Sequence, residues 1–171
     1  MKDLTEEFEI APRRMMIELV EEMHFWDVAA VCRMLDELRV LGVRIAVDDV
    51  GKGQSNLNHI LDCRPDAFKI DGYLVKGCSS DKHRLAVLQS ITTLARSFNA
   101  QVIAEGVENE ADLGVLLDMD IRLMQGFLLA RPISLENLLE SGLLVGEEFP
   151  LPMLQPDMDT DFGDGIAEVK A

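Results

Sequence analysis

The chain has 171 residues, enough for one domain with a buried core, and its 48% hydrophobic and 27% charged residues are an ordinary globular composition. With 31 acidic against 16 basic side chains the formal net charge is −15. DNA, RNA and anionic membrane surfaces are therefore disfavoured as partners by long-range repulsion, although bound divalent cations could reverse the field for a small anionic ligand.

No apolar run reaches the length of a membrane span, and the acidic stretch from Met1 to Ile10 lacks the apolar region of a signal peptide. Cys32, Cys63 and Cys78 form no C-x-x-C pair, which predicts reduced thiols in a cytoplasmic protein.

The periodicity predicts strands and helices in alternation. Met15 to Val20 is a short apolar run broken by Glu18. From Val28 the residues Val31, Cys32, Leu35 and Leu38 follow helical spacing, with Cys32 expected in the core and Gly42 ending the helix. Val43 to Val47 reads as a strand ending at Asp48 and Asp49. Ser55 caps a short helix with Leu57, Ile60 and Leu61 inward, which Pro65 stops. Ala67 to Ile70 is a strand ending at Asp71, and Asp81 to Phe98 is a long helix. A strand over Gln101 to Ala104 ends at Glu105, followed by a helix over Glu110 to Leu117. A strand over Ile121 to Met124 ends at Gln125 and Gly126, and Ser134 caps a helix over Leu135 to Glu140.

This alternation predicts an α/β fold with a parallel sheet, whose strands are continuous apolar runs because both faces are buried. Polar residues stand where each strand ends. That end is the ligand face in a (β/α)8 barrel and in an open α/β sheet alike. Residues 1–146 are expected to form the domain and 147–171 an acidic, proline-rich tail. In that tail Asp157, Asp159, Asp161 and Glu168 have EF-hand spacing, but Phe162 stands where the calcium loop needs Gly, so a solvated tail is the preferred reading.

Adjacent carboxylates such as Asp48 and Asp49 repel at a buried strand end unless a cation lies between them. Glu18 inside an apolar strand needs a partner for the same reason, and Lys69 is the nearby cation. With Glu105 and Glu108 this set suits hard, oxygen-preferring ions such as Mg²⁺ or Mn²⁺. His24, His59 and His83 follow no zinc-ligand spacing. The chemistry that such parts suit is metal-assisted hydrolysis of a phosphodiester, with Glu105 accepting the water's proton and Lys69 holding that water or the developing charge. A set of strand-end helix caps remains the competing reading.

Five ordered motifs resemble those of the EAL domain family. Glu18-Leu19-Val20-Glu21 resembles E-L-T-E, and Asp48-Asp49-Val50-Gly51-Lys52-Gly53 resembles D-D-F-G-T-G. Lys69-Ile70-Asp71 matches K-I-D, and Ala104-Glu105-Gly106-Val107-Glu108 matches A-E-G-V-E. Gln125-Gly126-Phe127 with Arg131-Pro132 resembles the closing Q-G-Y and R-P elements. The resemblance covers about Phe8 to Leu144. It implies a TIM-barrel-like (β/α)8 fold and hydrolysis of cyclic di-GMP to pGpG at a two-metal site of Mg²⁺ or Mn²⁺. By resemblance Glu18, Asp48 and Asp49 are metal ligands, Lys69 and Asp71 position the attacking water, and Glu105 is the general base. Glu108 and Gln125 support the site, and Glu21 anchors the loop of Gly51, Lys52 and Gly53.

The family's Glu-Ala-Leu strand and the next strand, which carry a Glu and an Asn ligand, have no counterpart in this sequence. The barrel is therefore expected to be incomplete and its metal site weakened. Open sheet edges are expected to pair in a homodimer or with another polypeptide. The alternative function is a catalytically inactive EAL-like protein that binds cyclic di-GMP or a protein partner. Lys52 stands where the family has Thr. It either neutralises the carboxylates, contacts a ligand phosphate, or is a solvated loop lysine, the last being preferred.

Overall fold

The computed structural model describes residues 9–20, 28–52 and 62–141. The expected short helix from Ser55, the residues Glu21 and Gly53, and the acidic tail lie outside the described residues.

A 3-10 turn, Pro12–Arg14, leads into β1, Met16–Leu19. There follow α1 (Val28–Val40), β2 (Arg44–Val50), β3 (Ala67–Ile70), α2 (Gly72–Val75) and α3 (Lys82–Ser97). The chain continues through β4 (Gln101–Glu105), α4 (Glu110–Asp118), β5 (Leu123–Gln125) and α5 (Leu135–Glu140). All neighbouring strands pair in parallel, and the five-stranded sheet runs β1-β2-β3-β4-β5. Sequential parallel strands wound in one direction form an arc of a barrel, whereas a doubly wound sheet reverses its order part-way. The fold is therefore an incomplete (β/α)8 barrel, with β1 and β5 as its edges among the described residues. No helix among the described residues is long and apolar enough to cross a membrane.

The helices bury the stripes expected of them. Val31, Leu35 and Leu38 of α1 join Leu19, Val43, Ile45 and Cys63 in one cluster. Cys32 lies beside that stripe, half-buried, and its thiol faces the Asp62 carbonyl, 3.5 Å away; the expectation of a core cysteine does not hold for it. One helical step carries position 32 about 100° around from Val31, to the edge of the buried face. Leu88 of α3 packs with Ile70, Leu74, Val75 and Val107, while Ala95 packs with Phe68 and Val50. Asp81 caps α3 by accepting from the backbone N–H groups of His83 and Arg84.

Three elements depart from the periodicity. β2 runs through both aspartates to Val50 rather than ending before them. The span Val47 to Val50 faces the span Phe68 to Ile70, one residue shorter, so β2 carries a bulge there. β5 starts at Leu123, because the amide of Ile121 is engaged by the Leu116 carbonyl at the end of α4, and it takes in Gln125. The single turn α2 has no hydrophobic period to announce it. The Asp71 side chain creates it by accepting from the Tyr73 amide at 2.7 Å.

Candidate functional site

The site lies at the carboxyl ends of the strands. β3 is the central strand and all four of its residues are buried. Side chains alternate along a strand, so Phe68 and Ile70 turn to the helix-covered side while Lys69 turns to the other face. Its ammonium meets three carboxylates: Glu18 of β1 at 2.9 Å, Asp48 of β2 at 3.0 Å and Glu105 of β4 at 2.9 Å. Four strands thereby converge on one nitrogen. Gln125 of β5 stands opposite Glu105 in register and donates to its Oε1 at 2.7 Å, which brings the fifth strand in. Gly126 is required beside it, because a Cβ there would overlap the backbone of Val107.

Burial alone would push the Lys69 ammonium towards neutrality. The hydrogen bonds it donates to Glu18, Glu105 and Asp48 outweigh that effect and hold its pKa well above the ordinary lysine value. The lysine is therefore a fixed positive charge at neutral pH.

The bulge in β2 separates the two adjacent aspartates. Asp49 takes a left-handed backbone with φ of 57°, and its amide donates to Asp48 Oδ1 at 2.9 Å. Asp48 turns to Lys69, while Asp49 turns to Lys52, whose ammonium lies 3.3 Å from each of its carboxylate oxygens. Lys52 also lies 3.9 Å from Asp71 Oδ2. The expectation of one cation between the pair is thus replaced by a separate lysine for each aspartate. The Asp49 hydrogen bond, with the charges of Asp49 and Asp71, raises the Lys52 pKa.

The other expected residues stand apart from Lys69. Asp71 is not among its ion-pair partners and caps α2 instead. Glu108 pairs with Lys76 at 2.7 Å. Gly51 has φ of 97° and sits against Leu74, which turns the loop after β2 back over the strand end. Glu21 and Gly53 lie outside the described residues. The closing motif brings the Arg131 guanidinium 4.6 Å from the centre of the exposed Phe127 ring.

Sequence reasoning missed Asp112, which is 1% exposed. Its carboxylate accepts from the amides of Gly77 at 2.8 Å and Ser79 at 2.9 Å, and from Asn109 Nδ2 at 2.6 Å. The Asn109-x-x-Asp112 spacing is a helix-start signal of the capping-box kind, but nothing in it announces the long-range partners.

The carboxylate oxygens around Lys69 lie at N–H···O distances of 2.9 to 3.0 Å. Mg²⁺ takes its oxygen ligands at about 2.0–2.1 Å. The donor types suit such an ion, and three of the carboxylates are already engaged by the Lys69 ammonium. Among the described residues no three His, Cys, Asp or Glu side chains are grouped to hold a metal ion.

A family profile described as "EAL domain" matches residues 1–132. The chain belongs to the EAL domain family. It is 33% identical over 132 residues to the bifunctional diguanylate cyclase/cyclic di-GMP phosphodiesterase MucR of Pseudomonas aeruginosa, covering 77% of this chain and 19% of that protein. The EAL domain of Mycobacterium smegmatis DcpA is 30% identical, with a TM-score of 0.80 over 86% of this chain and 66% of that one. Klebsiella pneumoniae BlrP1, in a complex with manganese and cyclic di-GMP, is 32% identical, with a TM-score of 0.70 over 76% of this chain and 33% of that one. The chain spans about a fifth of the length of the curated relatives it matches. Within this EAL arc, Glu18, Asp48, Lys69, Glu105 and Gln125 of the motifs are gathered at the strand ends, whereas Asp71 and Glu108 pair elsewhere.

Proposed function

We propose that this chain is an EAL-type module of cyclic di-GMP signalling that binds cyclic di-GMP at the strand-end face and does not hydrolyse it unaided. The observation that carries this reading is the closure of Glu18, Asp48 and Glu105 onto Lys69 at ammonium distances. That arrangement neutralises part of the acidic face without a metal and leaves the carboxylates engaged. The cyclic di-GMP complex of BlrP1, at 32% identity, supports the choice of ligand.

The second reading is the family reaction, metal-dependent hydrolysis of cyclic di-GMP to pGpG. It is favoured by the Gln125 hydrogen bond, which orients Glu105 as a proton acceptor. In that reading Lys69 and Asp71 position the attacking water. Glu18, Asp48 and Asp49 would hold Mg²⁺ or Mn²⁺, which would polarise the phosphoryl oxygens and supply the nucleophile at neutral pH. The edges β1 and β5, unpaired on their outer sides among the described residues, support a partner as well, either a second copy or another polypeptide that continues the sheet.

Calorimetry of the full chain with cyclic di-GMP in Ca²⁺ tests binding, and chromatography after incubation with Mg²⁺ or Mn²⁺ tests turnover. Saturable binding without pGpG is the expected result. Absence of binding would sink the ligand assignment. Formation of pGpG that Glu105→Ala and Asp48→Ala each abolish would replace the binding reading with the hydrolytic one.

A further inference from the structure

The loop after β2 carries a cation that the expected chemistry does not need. The left-handed Asp49 and Gly51 turn the chain so that the Lys52 amide donates to the Asp49 carbonyl at 3.1 Å. This turn brings the Lys52 ammonium back over the strand end, 3.3 Å from both Asp49 oxygens and 3.9 Å from Asp71. Lys69 occupies the centre of the other three carboxylates. The acidic face therefore holds two internal cations at two separate places.

We propose that Lys52 is a tethered counter-ion for Asp49 and Asp71, which keeps divalent cations off that end of the site by competing from within the chain. A tethered ammonium acts at an effective concentration of about millimolar or above. A divalent ion has the stronger attraction for the two carboxylates, so it can displace Lys52, but with reduced affinity. The inference rests on the reading that this face is the ligand site. It adds that metal occupancy there is set by a residue of the loop, not by the carboxylates alone.

The test is Mn²⁺ binding by the full chain, without nucleotide, followed by calorimetry for wild type, Lys52→Met and Lys52→Arg. The Lys52 side chain is 61% exposed, so neither substitution disturbs the core. Lys52→Met is expected to bind Mn²⁺ about tenfold more tightly, the order set by removing a unit positive charge from beside a divalent ion. Lys52→Arg is expected to match wild type. Adding Asp49→Asn to Lys52→Met is expected to cancel the gain. Equal affinity in wild type and Lys52→Met would overturn the proposal, as would a gain that survives Asp49→Asn. Loss of cyclic di-GMP binding with the Mn²⁺ gain intact would remove only the ligand reading, and the opposite pattern would remove only the counter-ion.

Discussion

Lys69 places one positive charge among three carboxylates, on a strand whose other residues are apolar. Replacing it with methionine preserves length and leaves the carboxylates facing one another without a cation. Lys69→Met is expected to lose about 3 kcal/mol of unfolding free energy at pH 7, the low end for a broken buried pair because Glu18 is half-exposed. A lower urea midpoint at unchanged slope would register this. The pH dependence follows from the raised pKa. A lysine whose folded pKa is raised contributes its full stability below the unfolded value and loses it as pH rises through the folded value. The margin of wild type over Lys69→Met is therefore expected to persist from neutrality up to 10.5, the ordinary lysine value, and to decline above it. Disappearance of that margin by about pH 9 would contradict the assignment.

Between elements, Asp112 is the joint that ties the start of α4 to the turn following α2. Burial alone would raise its pKa, but the amides of Ser79 and Gly77 and the side chain of Asn109 outweigh burial and lower it. The same burial, with the Asp112 charge beside it, pushes the Cys78 thiol up to about 11. Asp112→Ala leaves two backbone amides without their acceptor and is expected to cost about 2–4 kcal/mol. For a lowered carboxylate the stabilisation is present above the unfolded pKa and is lost as pH falls through the folded one. The difference in melting temperature between wild type and Asp112→Ala should thus hold at neutral pH and shrink only below the ordinary value of 3.8. A difference that fades near pH 6 would show that another group carries the effect. The joint matters for the site because Lys76, the partner of Glu108, lies at its start.

At the level of the whole molecule the arc of five parallel strands presents two edges among the described residues. An uncovered strand edge carries backbone donors and acceptors that another strand can satisfy. Near the β5 end Phe127, Ile133, Leu135 and Leu139 are exposed, at 54%, 49%, 68% and 62%. Leu135 and Leu139 lie one turn apart on α5, so they present apolar surface together. The chain is expected to self-associate, with a light-scattering mass above that of the 19.1 kDa monomer that rises with concentration. A constant monomer mass up to about 100 μM would count against edge pairing.

The sequence by itself determined the alternation of strands and helices, the strand-end position of Glu18, Asp48, Asp49, Lys69 and Glu105, and the family. These follow from local signals: apolar runs, caps such as Asp81 and Ser134, and short motifs whose residues are neighbours in the chain. Strand order, the bulge in β2 and the choice of ion-pair partners were decided only by the tertiary structure. Register sets which side chains meet, and register depends on pairing between segments far apart in sequence. Hence Gln125 reaches Glu105, and Asp112 reaches the turn at Gly77 and Ser79, with no local sign of either contact. The same holds for Asp48 and Asp49. Side by side in the chain they read as one site for one cation, and the extra residue in β2 separates them so that each meets a different lysine.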